Sequence, residues 1–157
     1  EALKFLPRNY KLLLVGSGDI GYAGKINEMI ATSGLSSRVI KVGYTPYPQT
    51  PIAYQVSDIF VLPSYLEGYP NALLEAMSVP LPCISSDCIA GPSDIIRNGG
   101  NGILVKPGDI DDLARAMNLL VENENLRKEL AAEAYLIRDT HSFDKIAGQY
   151  LAFIFPS

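Results

Sequence analysis

The sequence predicts a single α/β domain built on a doubly wound parallel sheet, with extra helices at its C-terminal end. Short apolar runs of strand length alternate with stretches of helical periodicity along most of the 157 residues. The runs are continuously apolar, which is typical of strands covered on both faces in a parallel sheet. A chain of this length fits one domain with its own core.

A glycine-rich loop follows the first apolar run. Residues 11–15 are predicted to form a strand buried on both faces, and residues 20–33 a helix. Between them, Gly16-Ser17-Gly18-Asp19-Ile20-Gly21 matches the G-x-G-x-x-G spacing, in which glycines let the backbone approach a phosphate. The next predicted strand, residues 38–42, is followed by Gly43-Tyr44 and not by the acidic residue that holds a ribose in a Rossmann dinucleotide site. The spacing alone therefore does not establish a dinucleotide site.

The stretch 65–77 places two carboxylates eight residues apart across a predicted loop-to-helix junction. It follows a proline-rich turn at residues 45–51, a short helix to residue 56 and a buried strand at residues 58–62. Pro70 suits the first position of the helix, and Gly68 can adopt backbone angles that other residues resist. Glu67 then lies at the mouth of the junction, and Glu75 lies about five residues, or roughly 7 Å, along the helix.

Open α/β sheets bind ligands at the carboxyl ends of their strands, where the free amides of a helix start favour anions. The two carboxylates suit two ends of one polyhydroxylated ligand. The alternative is that Glu67 is a solvated loop charge and Glu75 an ordinary surface residue.

The remaining elements continue the alternation and end in helices. Residues 82–86 and 103–105 are predicted strands, with a short helix beginning near Pro92 between them. Three helices follow: one opening at Asp109 with acidic residues in its first turn, one over residues 123–137, and one over residues 143–155 capped by Ser142. All three are expected to pack on the core.

Composition and charge argue against several classes of function. The formal net charge is −4, and the sequence lacks the basic stripe that nucleic-acid binding requires. No apolar run reaches membrane-spanning length and residues 1–7 lack the architecture of a signal peptide. A cytoplasmic location is therefore expected, with no direct membrane contact for this chain and peripheral membrane association left open for the full-length protein. Cys83 and Cys88 are interpreted as reduced thiols. His141, the only histidine, is interpreted as a solvated or capping residue, with a catalytic base as the alternative.

The run EGYPNALLE, from Glu67 to Glu75, resembles the Glu-x7-Glu motif of retaining glycosyltransferases of family four. Further matches lie in order along the chain: VGSG at 15–18, VGYT at 42–45, SDIFVLPS at 57–64 and GPSDIIRNGGNGILVKPGD at 91–109. The resemblance implies a Rossmann-like domain over residues 1–157, the nucleotide-sugar-binding C-terminal half of a GT-B fold in which two such domains face each other across a cleft.

The resemblance also implies roles for individual residues. Glu75 would hydrogen-bond the ribose hydroxyls of the donor, and Glu67, assigned to the catalytic centre, would hold hydroxyls of the transferred sugar. The backbone at the junction would meet the sugar and the β-phosphate through Gly68, Tyr69, Pro70, Asn71 and Ala72. Beside the donor diphosphate would lie Gly16, Ser17 and Gly18, with a purely structural turn as the alternative.

No metal or other cofactor is implied. In the resembled family the leaving phosphate itself assists deprotonation of the acceptor. The sequence agrees, because it has neither an Asp-x-Asp motif nor a histidine cluster for a metal-bound diphosphate.

The resemblance further implies that the chain is a truncated domain. Residues 1–6 look like the end of the first helix, so the first strand and most of that helix would be missing. The missing segment would also contain an Arg and a Lys that neutralise the diphosphate, since Lys11 and Lys25 do not match their positions.

The whole enzyme would transfer a hexosyl unit from a UDP- or GDP-type sugar to a glycan, lipid or lipid-linked acceptor bound by an N-terminal domain. A sugar-nucleotide epimerase of the related fold and a non-catalytic nucleotide-sugar-binding module are the alternatives.

Overall fold

The computed structural model describes residues 1–46 and 50–155, and this part of the chain follows the predicted α/β alternation. The strands are β1 (Leu12–Val15), β2 (Val39–Gly43), β3 (Phe60–Leu62), β4 (Cys83–Ser86) and β5 (Ile103–Val105). The helices are α1 (Ile20–Thr32), α2 (Thr50–Gln55), α3 (Asn71–Met77), α4 (Pro92–Ile95), α5 (Ile110–Glu122), α6 (Glu124–Tyr135), α7 (Ile137–Thr140) and α8 (Phe143–Ile154), and a short 3-10 helix, Ala2–Phe5, precedes β1. Residues 47–49 of the predicted proline-rich turn lie outside the described residues.

The five strands form two hydrogen-bonded groups. β1 pairs with β2, and the second group has the order β3-β4-β5. Every pairing between these strands is parallel, which confirms the predicted fold class. Within the described ranges, β1 and β3 each have a ladder on one side only, so each is an edge strand.

The main core lies on the two faces of the β3-β4-β5 sheet. Alternate residues of a strand point to opposite faces, and on β4 Cys83 packs in one cluster while Ile84 packs in the other. Helices α3, α4, α6 and α7 contribute buried side chains to the first cluster, and α5 and α6 to the second. Helices on both faces are the arrangement expected of a doubly wound sheet.

Two predictions of burial are wrong. Strand β1 was expected to be covered on both faces, but the side chains of Leu12 and Val15 are 36% and 38% exposed. The reason is that β1 is an edge strand and none of the described side chains of α1 is buried. The last predicted helix also forms, as α8, but it buries no residue, and Phe143 and Phe153 are each 85% exposed.

Side-chain caps set the starts of the C-terminal helices. Asp109 accepts from the backbone amide of Asp112, and Asn123 accepts from that of Leu126. Ser142 caps α8 as predicted, through a hydrogen bond to its side-chain oxygen. The helix predicted over residues 123–137 ends at Tyr135, and α7 begins separately two residues later.

Candidate functional site

The predicted loop-to-helix junction lies directly after edge strand β3. Residues 63–70, called the signature loop below, connect β3 to α3. Pro70 is the N-cap of α3, one residue before the position predicted for it, and its carbonyl accepts from the amides of Leu73 and Leu74. Leu73 and Met77 are completely buried on the sheet, so α3 fixes one end of the loop to the core.

Glu67 is half-buried within the signature loop. The hydroxyl of Ser64 donates to its Oε1 at 2.6 Å, a short bond of the kind that a charged acceptor makes. Among the described residues no other side chain bonds this carboxylate, so Oε2 remains free to accept from a ligand.

Glu75 lies on the exposed edge of α3, as the helical spacing predicts. Its Oε2 accepts a hydrogen bond of 3.0 Å from the hydroxyl of Tyr54, on α2. The ring of Tyr54 packs edge-on against Phe60 of β3, with the centroids 5.7 Å apart. Burial, and then the carboxylate of Glu75, raise the pKa of Tyr54 above its ordinary value, so its hydroxyl remains a donor. Sequence reasoning missed Tyr54, because a tyrosine in a short helix carries no signal of a partner 21 residues away.

Two glycines in the loops after β4 and β5 lie close to the signature loop. Gly91 has φ of +96°, and a Cβ there would lie 2.7 Å from both the carbonyl oxygen of Gly68 and Cδ of Pro70. Gly108 has φ of +75°, and a Cβ there would lie 2.8 Å from Cε1 of Tyr65. The carboxyl ends of three neighbouring parallel strands therefore meet at this loop. The sequence shows both glycines, but it assigns neither of them a contact.

His141 also reaches the signature loop, which the sequence analysis did not expect. Its Nε2 lies 2.8 Å from the hydroxyl of Tyr69, and the two rings are close to parallel, with an interplanar angle of 24°. The interpretation of His141 as only a solvated or capping residue is therefore incomplete. The two residues are 72 positions apart, so no local spacing could have shown the contact.

The glycine loop after β1 is exposed at Gly16, Ser17 and Gly18. Gly16 has φ of +123° and its amide donates to the carbonyl of Gly43, so the turn requires glycine for structural reasons. At the start of α1, the carboxylate of Asp19 accepts from the amide of Gly21 at 2.8 Å. Within the described part of the chain, no hydrogen bond or ring contact joins this loop to the signature loop. A role beside a phosphate remains a prediction.

At the start of α3, Asn71 and Ala72 are exposed. Their amides precede the first hydrogen-bonded turn of the helix, as at any helix start. They are therefore available to a ligand held by the signature loop, which is the contact the sequence analysis predicts for them.

The described residues also bear on three other features: a metal site, a reactive thiol and a membrane-spanning helix. No three His, Cys, Asp or Glu side chains there are grouped so that they could hold a metal ion. Cys83 and Cys88 are buried free thiols, and burial raises the pKa of Cys83 above its ordinary value. None of the described helices combines the length and the apolar character needed to cross a bilayer.

The sequence matches the family model described as Glycosyl transferases group 1 over residues 1–136. It is also similar to two curated lipopolysaccharide 1,6-galactosyltransferases. Identity to the Salmonella typhimurium protein is 42% over 93 residues, covering 58% of this chain and 26% of the relative. Identity to the Escherichia coli protein is 33% over 131 residues, covering 79% of this chain and 34% of the relative. The chain thus spans about a quarter to a third of the length of these relatives.

Solved structures agree with this comparison. Crystal structures of Anabaena Alr3699/HepE in complex with UDP and with UDP-glucose superpose with a TM-score of 0.87 at 25% sequence identity. The superposition covers 98% of this chain and 42% of that one. The match confirms the predicted Rossmann-like architecture.

Proposed function

The chain belongs to the group 1 glycosyl transferases, and from that premise we propose that it is the donor-binding half of a retaining hexosyltransferase. One observation carries the proposal. Glu67 and Glu75 lie on either side of the junction after β3, and a hydroxyl group holds one oxygen of each carboxylate. This arrangement leaves the second oxygen of each to accept from the hydroxyls of a sugar and of a ribose.

The two carboxylates have different parts in this proposal. Glu75 accepts from the ribose hydroxyls of the nucleotide, and the hydrogen bond from Tyr54 holds its carboxylate in place. Glu67 accepts from hydroxyls of the transferred sugar, with Ser64 as its anchor. The backbone between them, including the amides of Asn71 and Ala72, contacts the sugar and the β-phosphate.

The comparisons favour a UDP-hexose as the donor. The two curated relatives carry the name galactosyltransferase, and the structurally similar Alr3699/HepE has been crystallised with UDP and UDP-glucose. We therefore propose UDP-galactose or UDP-glucose as the first donors to test. The names of the relatives also favour a lipopolysaccharide or other lipid-linked glycan as the acceptor.

Topology supports the proposal that the chain is part of a larger domain. One group of strands has the order β1-β2 and the other β3-β4-β5, so β1 and β3 begin the two groups. Ligands of open α/β folds bind at the carboxyl ends of the strands, at the point where the strand order reverses. One edge of β1 and one edge of β3 are unpaired in the described structure, and apolar side chains of β1 are partly exposed. We propose that in the whole protein a further strand pairs between β1 and β3 and makes one sheet.

A transfer assay with radiolabelled UDP-galactose tests the proposal. The full-length protein and the 157-residue chain are incubated with lipid-linked acceptor, and labelled product and free UDP are both measured. We expect transfer by the full-length protein and none by this chain alone, because closure of an acceptor domain over the donor is missing. Transfer by the chain at a rate comparable to that of the full-length protein would refute the assignment as half of an active site. Release of UDP without acceptor would instead indicate the epimerase alternative.

A further inference from the structure

The hydrogen bonds around His141 form a chain with a defined direction. The hydroxyl of Thr140 donates to the carbonyl of Ile137 at 3.1 Å, so its proton is already used. The oxygen of Thr140 lies 2.9 Å from Nδ1 of His141 and can then only accept. In the neutral imidazole Nδ1 therefore carries the proton, and Nε2 accepts from the hydroxyl of Tyr69, which lies 2.8 Å away.

This chain of bonds connects the signature loop to the same core that holds α3. Ile137, at its far end, is 8% exposed and packs in the cluster that contains Leu73 and Met77. Tyr69, at the near end, lies between Glu67 and the start of α3. The backbone on one side of Tyr69 is thus held by α3, and its side chain is held by α7 through His141.

Tyr69 has few other restraints. Its side chain is 51% exposed, and the preceding residue, Gly68, has no Cβ to limit the backbone. A Cβ added at Gly91 would meet the carbonyl of Gly68 and the ring of Pro70, the residues on either side of Tyr69. His141 is the partner that fixes the orientation of Tyr69 among the described contacts.

We propose that His141 is a positioning residue for the donor sugar, and that it acts by holding Tyr69 and, through it, the Glu67 side of the signature loop. The inference rests on the proposed function, in which Glu67 meets the sugar and Glu75 the ribose. Its consequence is selective. Loss of His141 disturbs the Glu67 side of the loop but not α3, whose first amides, at Asn71 and Ala72, are the ones proposed to meet the β-phosphate. It therefore weakens binding of the intact nucleotide sugar and spares binding of the free nucleotide.

Calorimetric titration of the full-length protein with UDP and with UDP-galactose tests the selectivity. His141→Leu is expected to raise the Kd for UDP-galactose about 2- to 10-fold, the range that corresponds to one net hydrogen bond, and to leave the Kd for UDP unchanged. Tyr69→Phe is expected to match it, and the double variant to be no worse than either single one. His141→Gln, which can still bond the hydroxyl, should restore binding. The control is Asp139→Asn, because Asp139 is exposed and lies two residues before His141.

The tautomer gives a second readout that does not depend on any ligand. His141 is the only histidine of the 157 residues, so ¹⁵N-histidine labelling of this chain gives a single imidazole spectrum. The hydrogen bonds from Ile137 to Tyr69 predict that the neutral imidazole carries its proton on Nδ1. A neutral imidazole with its proton on Nε2 would contradict this arrangement. Equal losses for UDP and UDP-galactose in His141→Leu, or no loss for either, would overturn the positioning role. If the parent protein bound neither ligand, the proposed function would fail instead. The tautomer would still test the hydrogen bonds of His141 independently of any ligand.

Discussion

Replacement of Gly91 by alanine should displace the signature loop as well as destabilise the fold. Gly91 is the buried N-cap of α4, with φ of +96° and ψ of −66°. An L side chain held in such a sparsely populated backbone conformation costs about 1 to 3 kcal/mol. The added Cβ would also lie 2.7 Å from the carbonyl oxygen of Gly68, and this atom is backbone that cannot rotate away. Overpacking of this kind adds about 1 to 3 kcal/mol. The expected loss is therefore about 3 kcal/mol.

Two other glycines separate the backbone cost from the clash. Gly99 has φ of +74° and nothing within 4 Å of an added Cβ, so Gly99→Ala should cost only about 1 to 2 kcal/mol. Gly108 has φ of +75°, but its added Cβ would meet the ring of Tyr65, which is 78% exposed and free to turn aside. Gly108→Ala should therefore lie close to Gly99→Ala. All three are compared by thermal unfolding, in which 1 kcal/mol corresponds to roughly 2 to 4 °C for a chain of this size.

The result that matters is the difference between Gly91→Ala and Gly99→Ala. We expect Gly91→Ala to lower the Tm by roughly 3 to 6 °C more than Gly99→Ala does, and to weaken binding of the nucleotide sugar even below its Tm. Equal Tm values for the two variants, with donor binding intact in both, would refute the conclusion that Gly91 supports the signature loop.

Three further predictions concern the core, the tyrosine behind Glu75 and the absence of a cofactor. Leu73→Ala should lower the free energy of unfolding by about 2 to 5 kcal/mol because Leu73 is completely buried, whereas Leu119→Ala, at a residue 48% exposed, should cost far less; similar urea midpoints would contradict the packing described. The raised pKa of Tyr54 stabilises the fold below its unfolded pKa of about 10, and this contribution is lost as the pH rises toward the folded value. The stability difference between the parent and Tyr54→Phe should therefore shrink between pH 8 and pH 11, and a difference that grew would contradict the assigned cause. Transfer by the full-length protein should persist in EDTA, and its loss with recovery on adding Mg²⁺ or Mn²⁺ would show that a metal is required.

Local chemistry was sufficient to predict most elements of this fold. Helix starts at Asp109 and Ser142 follow from side-chain caps within three residues, and the exposed edge of α3 follows from helical spacing. The placement of Glu67 in the loop after β3 and of Glu75 on α3 was predicted in the same way. In each case the determining contacts lie within a few residues of sequence.

The predictions that were wrong or incomplete concern contacts between residues distant in sequence. A continuous apolar run predicts that β1 needs cover, but it does not say what covers it, and the described residues leave β1 at an edge. The same limit applies to α8, whose apolar side chains remain exposed. The bonds from Tyr54 to Glu75 and from Tyr69 to His141 span 21 and 72 residues, so they required the folded structure.

Titration of the full-length protein with UDP and UDP-galactose, in the parent and in two glutamate variants, tests the central claim most directly. Glu75→Ala is expected to weaken both ligands by about 10- to 100-fold, since a charge-assisted hydrogen bond to the ribose contributes about 1.5 to 3 kcal/mol. Glu67→Ala is expected to leave the Kd for UDP unchanged and to weaken UDP-galactose alone. If the parent bound neither ligand, or if both variants bound both ligands as tightly as the parent, the assignment of this chain as a nucleotide-sugar-binding domain with these two carboxylates in its site would be contradicted.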